Sequence, residues 1–170
     1  MYTTLKKISL LDVDKQLVSK LRKTNKGRER VKYYRILEVC GLPFALECTI
    51  AEPRYGKVWR YIAHEYAHHY ARFCNGDIID AIKLVSDNIS GTASNEELES
   101  GFQKALSSLR ADATHGEYYK AAVTCIMSAH KDPCTAIKWA ALCSANKDGL
   151  RKEQEVIFNN VTKYLADSIM

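Results

Sequence analysis

Turn-forming residues are scarce in this sequence, with eight glycines and three prolines among 170 residues. A β-sandwich or barrel needs a turn signal every ~8–12 residues, so all-β architectures are excluded. No apolar run approaches the ~18 residues of a membrane span. The two lysines after Met1-Tyr-Thr-Thr-Leu are not followed by an apolar stretch of signal-peptide length, and a cytoplasmic location is expected. Six cysteines occur, yet none forms a Cys-x-x-Cys pair. Most lie among apolar residues at helical spacing, as in Ala122-Val-Thr-Cys125-Ile-Met, and are expected to be reduced core thiols. A glycine-rich phosphate loop, a G-x-S-x-G elbow and paired carboxylates in a recognisable setting are all missing. Cys74, near a histidine-bearing helix, reads as a buried thiol rather than a nucleophile.

What is present is a helical pattern. Hydrophobic residues make up 46% and charged residues 26%, ordinary globular values for a chain able to bury a core. Apolar spacing predicts helices over Leu10 to Leu21, broken by Asn25-Lys-Gly27, and over Val31 to Cys40, stopped by Gly41. Pro43 opens a third through Ile50, Lys57 to Cys74 forms a long fourth closed by Asn75-Gly76, and Ile78 to Val85 a short fifth. Ser94 and Glu97 make a capping-box signature for a helix through Leu109. Nine alanines fall between Ala111 and Ala145, a stretch divided by the N-cap Asp132 and Pro133. A last amphipathic helix runs from about Asp148 to Leu165. The expected fold is all-α, a single helical domain over residues 1–170. It comprises a basic N-terminal helix and loop (1–35), a helical core (36–110), and alanine-rich plus C-terminal helices (111–170). Eight or nine helices are expected in stacked antiparallel hairpins, with no sheet.

Charge is distributed unevenly. The net charge is +5, but residues 1–35 hold eleven Lys and Arg against Asp12, Asp14 and Glu29, a balance of +8, leaving −3 for the rest. The dense part runs from Lys20 to Arg35. Such a surface suits an acidic protein, a small anionic ligand or a phosphate backbone; its bland alternative is a solvated helix end and loop. No recognised DNA- or RNA-binding module surrounds it, which argues against nucleic acid. The expected partner-binding residues are Lys20, Arg22, Lys23, Lys26, Arg28, Arg30, Lys32 and Tyr33, together with Tyr66 and His69 on an exposed face of the fourth helix.

One string carries catalytic chemistry. His64-Glu65-Tyr66-Ala67-His68 matches H-E-x-x-H, in which two imidazoles four residues apart ligate zinc and the glutamate serves as base toward a metal-bound water. Where the longer metzincin pattern has glycine and histidine, this chain has Ala71 and Cys74. Glu96, Glu97 and Glu99 are nominal third ligands, but they fall in the first turn of a helix, where acids already serve as caps. The pattern also lacks the strand-lined cleft that an extended peptide substrate needs. The string is therefore expected to be a half-buried, hydrogen-bonded helix face, with no metal, no cofactor and no catalytic residue. A zinc-dependent hydrolase using His64, His68 and Glu65 is the alternative.

Three segments together resemble a known group. These are Met1-Tyr-Thr-Thr-Leu-Lys-Lys-Ile8, the hairpin Tyr34-Arg-Ile-Leu-Glu-Val-Cys-Gly-Leu-Pro-Phe-Ala-Leu-Glu-Cys-Thr-Ile-Ala51, and the closing Glu153-Gln-Glu-Val-Ile-Phe-Asn-Asn-Val-Thr-Lys-Tyr-Leu165. They resemble the alanine-rich, all-helical tailed-phage and prophage accessory proteins of unassigned function often labelled immunity proteins. Those proteins carry an acidic, proline-containing stretch where this chain has Lys26-Gly-Arg28-Glu-Arg30. The resemblance implies a non-enzymatic phage accessory protein, in the host cytoplasm, that binds and neutralises a partner as an immunity or anti-defence factor. With the basic segment, it sets the expected partner as a host or phage protein with an acidic surface. A pocket for a small nucleotide-like anion is the further alternative.

Overall fold

The computed structural model describes residues 1–74, 76–111, 117–144 and 148–170. The fold is predominantly α-helical, as expected, with ten helices among the described residues rather than eight or nine. It also contains one small two-stranded sheet, which corrects the expectation of none. The chain forms two compact units, Met1–Val58 together with Glu155–Met170, and Trp59–Gln154 inserted between them in sequence. No helix among the described residues is long and apolar enough to cross a membrane.

In the first unit, β1 (Tyr2–Thr4) pairs antiparallel with β2 (Arg30–Lys32), setting Tyr2 opposite Lys32, Thr3 opposite Val31 and Thr4 opposite Arg30. Alternation buries Thr3 and Val31 and leaves Arg30 and Lys32 exposed. Three-residue strands are too short to register as alternation in sequence, which is why periodicity gave only helices here. The helix expected over Leu10 to Leu21 starts only at Lys15, as α2 (Lys15–Thr24), and a separate short helix, α1 (Leu5–Ser9), precedes it. Asp14 causes the break: its carboxylate accepts the Gln16 and Leu17 N–H groups at 2.7 and 3.3 Å and starts α2 afresh. Leu10, left in the connection, is 78% exposed.

α3 (Tyr33–Cys40) ends at Gly41, whose φ of +81° only glycine adopts freely, and Pro43 sits in the first turn of α4 (Leu42–Glu47) as expected. Leu5, Ile8, Leu21, Val31, Tyr33, Ile36 and Cys48 are essentially fully buried in this unit. A buried carboxylate, Glu52, pairs with Lys7 at 2.9 Å and with Arg54 at 3.0 Å.

Six further α-helices and two C-terminal helical turns follow. α5 (Gly56–Ala71) matches the long fourth helix of the sequence reading, and the short fifth becomes the fifteen-residue α6 (Gly76–Ser90). Asn75, expected to close α5, lies outside the described residues, whereas Gly76, with φ +49°, opens α6. α7 (Asn95–Ala111) starts on the expected capping box: Ser94 N–H donates to Glu97 at 2.7 Å, and Glu97 N–H to Ser94 Oγ at 3.1 Å. α8 (Glu117–Ser128) and α9 (Pro133–Ser144) follow, and Asp132 caps α9 by accepting Thr135 N–H at 2.8 Å. α10 (Asp148–Asn160) continues through a π-helical turn, Val161–Leu165, into a last α-turn, Ala166–Ile169.

Within the inserted unit, α6 packs on α7 and α8 on α9. Ala121, Ala122, Ala129, Ala136, Ala140 and Ala141 are buried, so the alanine-rich stretch does supply close-packing helix faces. The connection from α8 to α9 is held from α5. Arg60, 3% exposed, donates from its guanidinium to the carbonyls of His130 and Lys131 at 2.9 and 2.7 Å.

Candidate functional site

The basic segment begins where α2 stops. Lys26 and Gly27 take left-handed conformations at φ +51° and +71°, and Gly27 N–H donates back to the Arg22 carbonyl at 3.2 Å. The Asn25 side chain then donates to the carbonyls of Arg28 and Arg30 at 2.6 and 3.0 Å, fixing the path of the loop into β2. Glu29 is the one acid between Lys20 and Arg35, and α1 uses it. Its carboxylate accepts Lys6 N–H at 2.6 Å, and its carbonyl accepts Leu5 N–H at 2.9 Å. Lys20, Arg22, Lys23, Lys26, Arg28, Arg30 and Lys32 are all exposed. Among the described residues none of these seven is in an ion pair.

Aromatic rings organise one edge of this surface. The Arg30 guanidinium lies 3.5 Å from the centroid of the Tyr2 ring, and Arg54 lies 5.1 Å from the same ring. The Lys32 and Lys163 ammonium groups approach Tyr34 at 5.7 and 5.4 Å, and Lys163 also approaches Tyr164 at 4.9 Å. Stacking on a ring restricts the rotamers of a long cationic side chain while leaving its N–H groups available to an oxyanion. Tyr2, Arg54 and Lys163 were missed by sequence reasoning. They stand outside the charge run in sequence: strand pairing brings Tyr2 to it, Arg54 packs near the same ring, and the C-terminal helix brings Lys163.

Tyr33 is a correction. It was expected on the binding surface, but it is fully buried, with its hydroxyl donating to the Cys48 carbonyl at 2.9 Å and its ring edge-on to Tyr55 at 6.4 Å. It opens α3 on the same side as Ile36, three residues on, so that face of the helix points into the core. Tyr66 is a second correction. Only 2% exposed, it donates its hydroxyl to the Gln154 carbonyl at 3.2 Å. The side chain of His69 lies outside the described residues. Both belong to α5 within the inserted unit, not to the unit that carries the basic segment.

On α5, His64 and His68 stack at 6.0 Å, as their four-residue spacing requires. Glu65 is partly exposed and lies against side chains of its own helix. His64 Nδ1 lies 3.8 Å from its carboxylate, and the neighbouring His64 imidazole holds that carboxyl below the usual range. Burial, with the nearby Glu65 carboxylate, raises the Tyr61 phenol. Among the described residues no group of three His, Cys, Asp or Glu is placed to hold a metal ion. Glu97, a nominal third ligand, is engaged in its capping box. The purified protein is therefore expected to carry no stoichiometric zinc, and a chelator should leave its melting temperature unchanged. About one zinc per chain by elemental analysis, lost in His64→Ala or His68→Ala, would promote the hydrolase reading.

No family model, curated protein or solved structure matches this chain. The likeness to phage accessory proteins accordingly rests on the three sequence segments alone.

Proposed function

We propose that this chain is a non-enzymatic binding protein that captures an acidic partner protein on the basic surface of its first unit. The observation that carries the reading is a row of exposed cations, Lys20 through Lys32, that form no ion pair among the described residues. A chain that needed these charges only for its own stability would pair them. Here the one acid within the run, Glu29, caps α1 instead. Asn25 fixes the loop that presents Arg28 and Arg30, and the Tyr2 ring steadies the Arg30 guanidinium. Pre-ordered cations lose less side-chain entropy on meeting a carboxylate, and an uncompensated field accelerates encounter with an acidic surface. The resemblance to phage immunity-type proteins extends this to a role: masking the acidic surface of a host or phage protein and thereby neutralising it.

The test is the combined reversal Arg28→Glu, Arg30→Glu and Lys32→Glu. Circular dichroism and melting temperature should stay near wild type, because exposed unpaired charges contribute little to stability. Retention of the partner by immobilised protein, quantified by mass spectrometry, should fall about tenfold or more. Wild-type capture should also weaken as salt rises, since exposed charges are screened over about 10 Å at 0.1 M. A steep log-linear salt slope with recovered nucleic acid would replace the partner class. Equal capture by wild type and reversal would reduce the segment to solvated surface.

A further inference from the structure

The inserted unit holds two thiols in contact. Cys74, just beyond the end of α5, and Cys125, in α8, place their sulfurs 3.6 Å apart. Both belong to one buried apolar cluster, with Cys125 fully enclosed and Cys74 8% exposed. Each sulfur is also 3.6 Å from a carbonyl late in α5, Tyr70 for Cys74 and Ala67 for Cys125.

We propose that Cys74 and Cys125 form a modification site, a dithiol that hydrogen peroxide closes into a reversible disulfide between the end of α5 and α8. A disulfide needs an S–S distance of about 2.05 Å, so the sulfurs must close by roughly 1.5 Å, within reach of side-chain torsion and a small shift of the chain after α5. The roles of the two sulfurs differ. The hydrogen bond between them lowers the Cys74 thiol and raises that of Cys125, which burial raises further. Cys74, at the edge of the cluster, is the thiolate that attacks. It takes one oxygen of hydrogen peroxide to become a sulfenic acid, and the departing hydroxide is protonated to water. The Cys125 sulfur then attacks the sulfenyl sulfur, its proton leaving with the displaced hydroxide as a second water. Two thiols and one peroxide thus yield one disulfide and two waters, and a dithiol reductant reverses the change.

The folded full-length protein is treated with hydrogen peroxide, alkylated, digested without reductant and analysed by mass spectrometry. The expected product is a Cys74–Cys125 linked peptide pair that dithiothreitol separates. Because the link closes a long loop, the oxidised protein should melt ~5 °C or more above the reduced form. In Cys125→Ala the reaction should stop at Cys74 sulfenic acid, trapped by dimedone. If that variant does not fold, Cys74→Ala must leave Cys125 unoxidised. Recovery of Cys74 and Cys125 both alkylated, Cys74 linked to a different cysteine, or wild-type Cys74 ending as sulfinic acid beside a free Cys125 would each overturn the proposal.

Discussion

Replacing Tyr33 with alanine is expected to cost about 3–5 kcal/mol, the range for deleting a large buried aromatic side chain. The same change at an exposed tyrosine would fall within about 0.5 kcal/mol, so urea denaturation separates a core residue from a binding residue outright. The loss includes the ring's burial, its edge-on contact with Tyr55, and the hydroxyl bond to the Cys48 carbonyl. Tyr33→Phe isolates the last. It keeps the ring and removes the donor, leaving the buried carbonyl short of one partner, for a loss of about 1–3 kcal/mol. A near-neutral Tyr33→Ala would restore Tyr33 to the surface, and the register that buries it would be wrong.

Arg60→Leu should be a costly change on α5, at about 2–4 kcal/mol. Burial lowers the arginine's affinity for its proton, with nearby Asp132 acting in the opposite direction. The ordinary arginine pKa lies so far above neutrality that the side chain remains charged there. Its two forked hydrogen bonds go to neutral carbonyls, not to a carboxylate, so they offset the cost of burying the charge only because both are made. Leucine relieves the buried charge but orphans two carbonyls at the α8–α9 connection. Arg60→Lys should lie between, because one ammonium cannot span both acceptors with fork geometry. Salt should not rescue either variant, since the interaction is shielded from solvent. Wild-type stability in Arg60→Leu would mean that the connection holds itself without α5.

Much of this fold is written in local chemistry. Ser94 with Glu97, Asp132 before Pro133, Pro43 after Gly41, and Asn25-Lys-Gly27 each mark a helix end through bonds made within a few residues, and all four do so in the structure. Three features were not legible because they depend on distant partners. The β1–β2 ribbon joins Tyr2–Thr4 to Arg30–Lys32 across two helices, and neither strand alone carries a pattern. The orientation of Tyr33 follows from how α3 meets its neighbours, which periodicity within a charge-rich stretch does not specify. The H-E-x-x-H string was legible as letters only. Its chemistry turns on a third ligand from elsewhere, and the described residues do not bring one to it. The basic run itself was plain from composition, and all seven of its expected cations lie on the surface. That Glu29 serves α1 rather than its cationic neighbours is a fact of three dimensions.

The first unit is discontinuous, and this has a consequence for biosynthesis. Residues 1–58 are synthesised well before the segment that completes their unit, Glu155–Met170. At about 5–20 residues per second the intervening stretch takes roughly 5–20 s to synthesise. Throughout that interval α3 waits for the π-helical turn that packs on it, and Tyr34 for Lys163. The inserted unit, contiguous in sequence, has all its residues in hand first. A nascent chain therefore presents an incomplete cationic surface until residues 155–170 have been made, so the folding of α3 is separated in time from the packing that completes its unit.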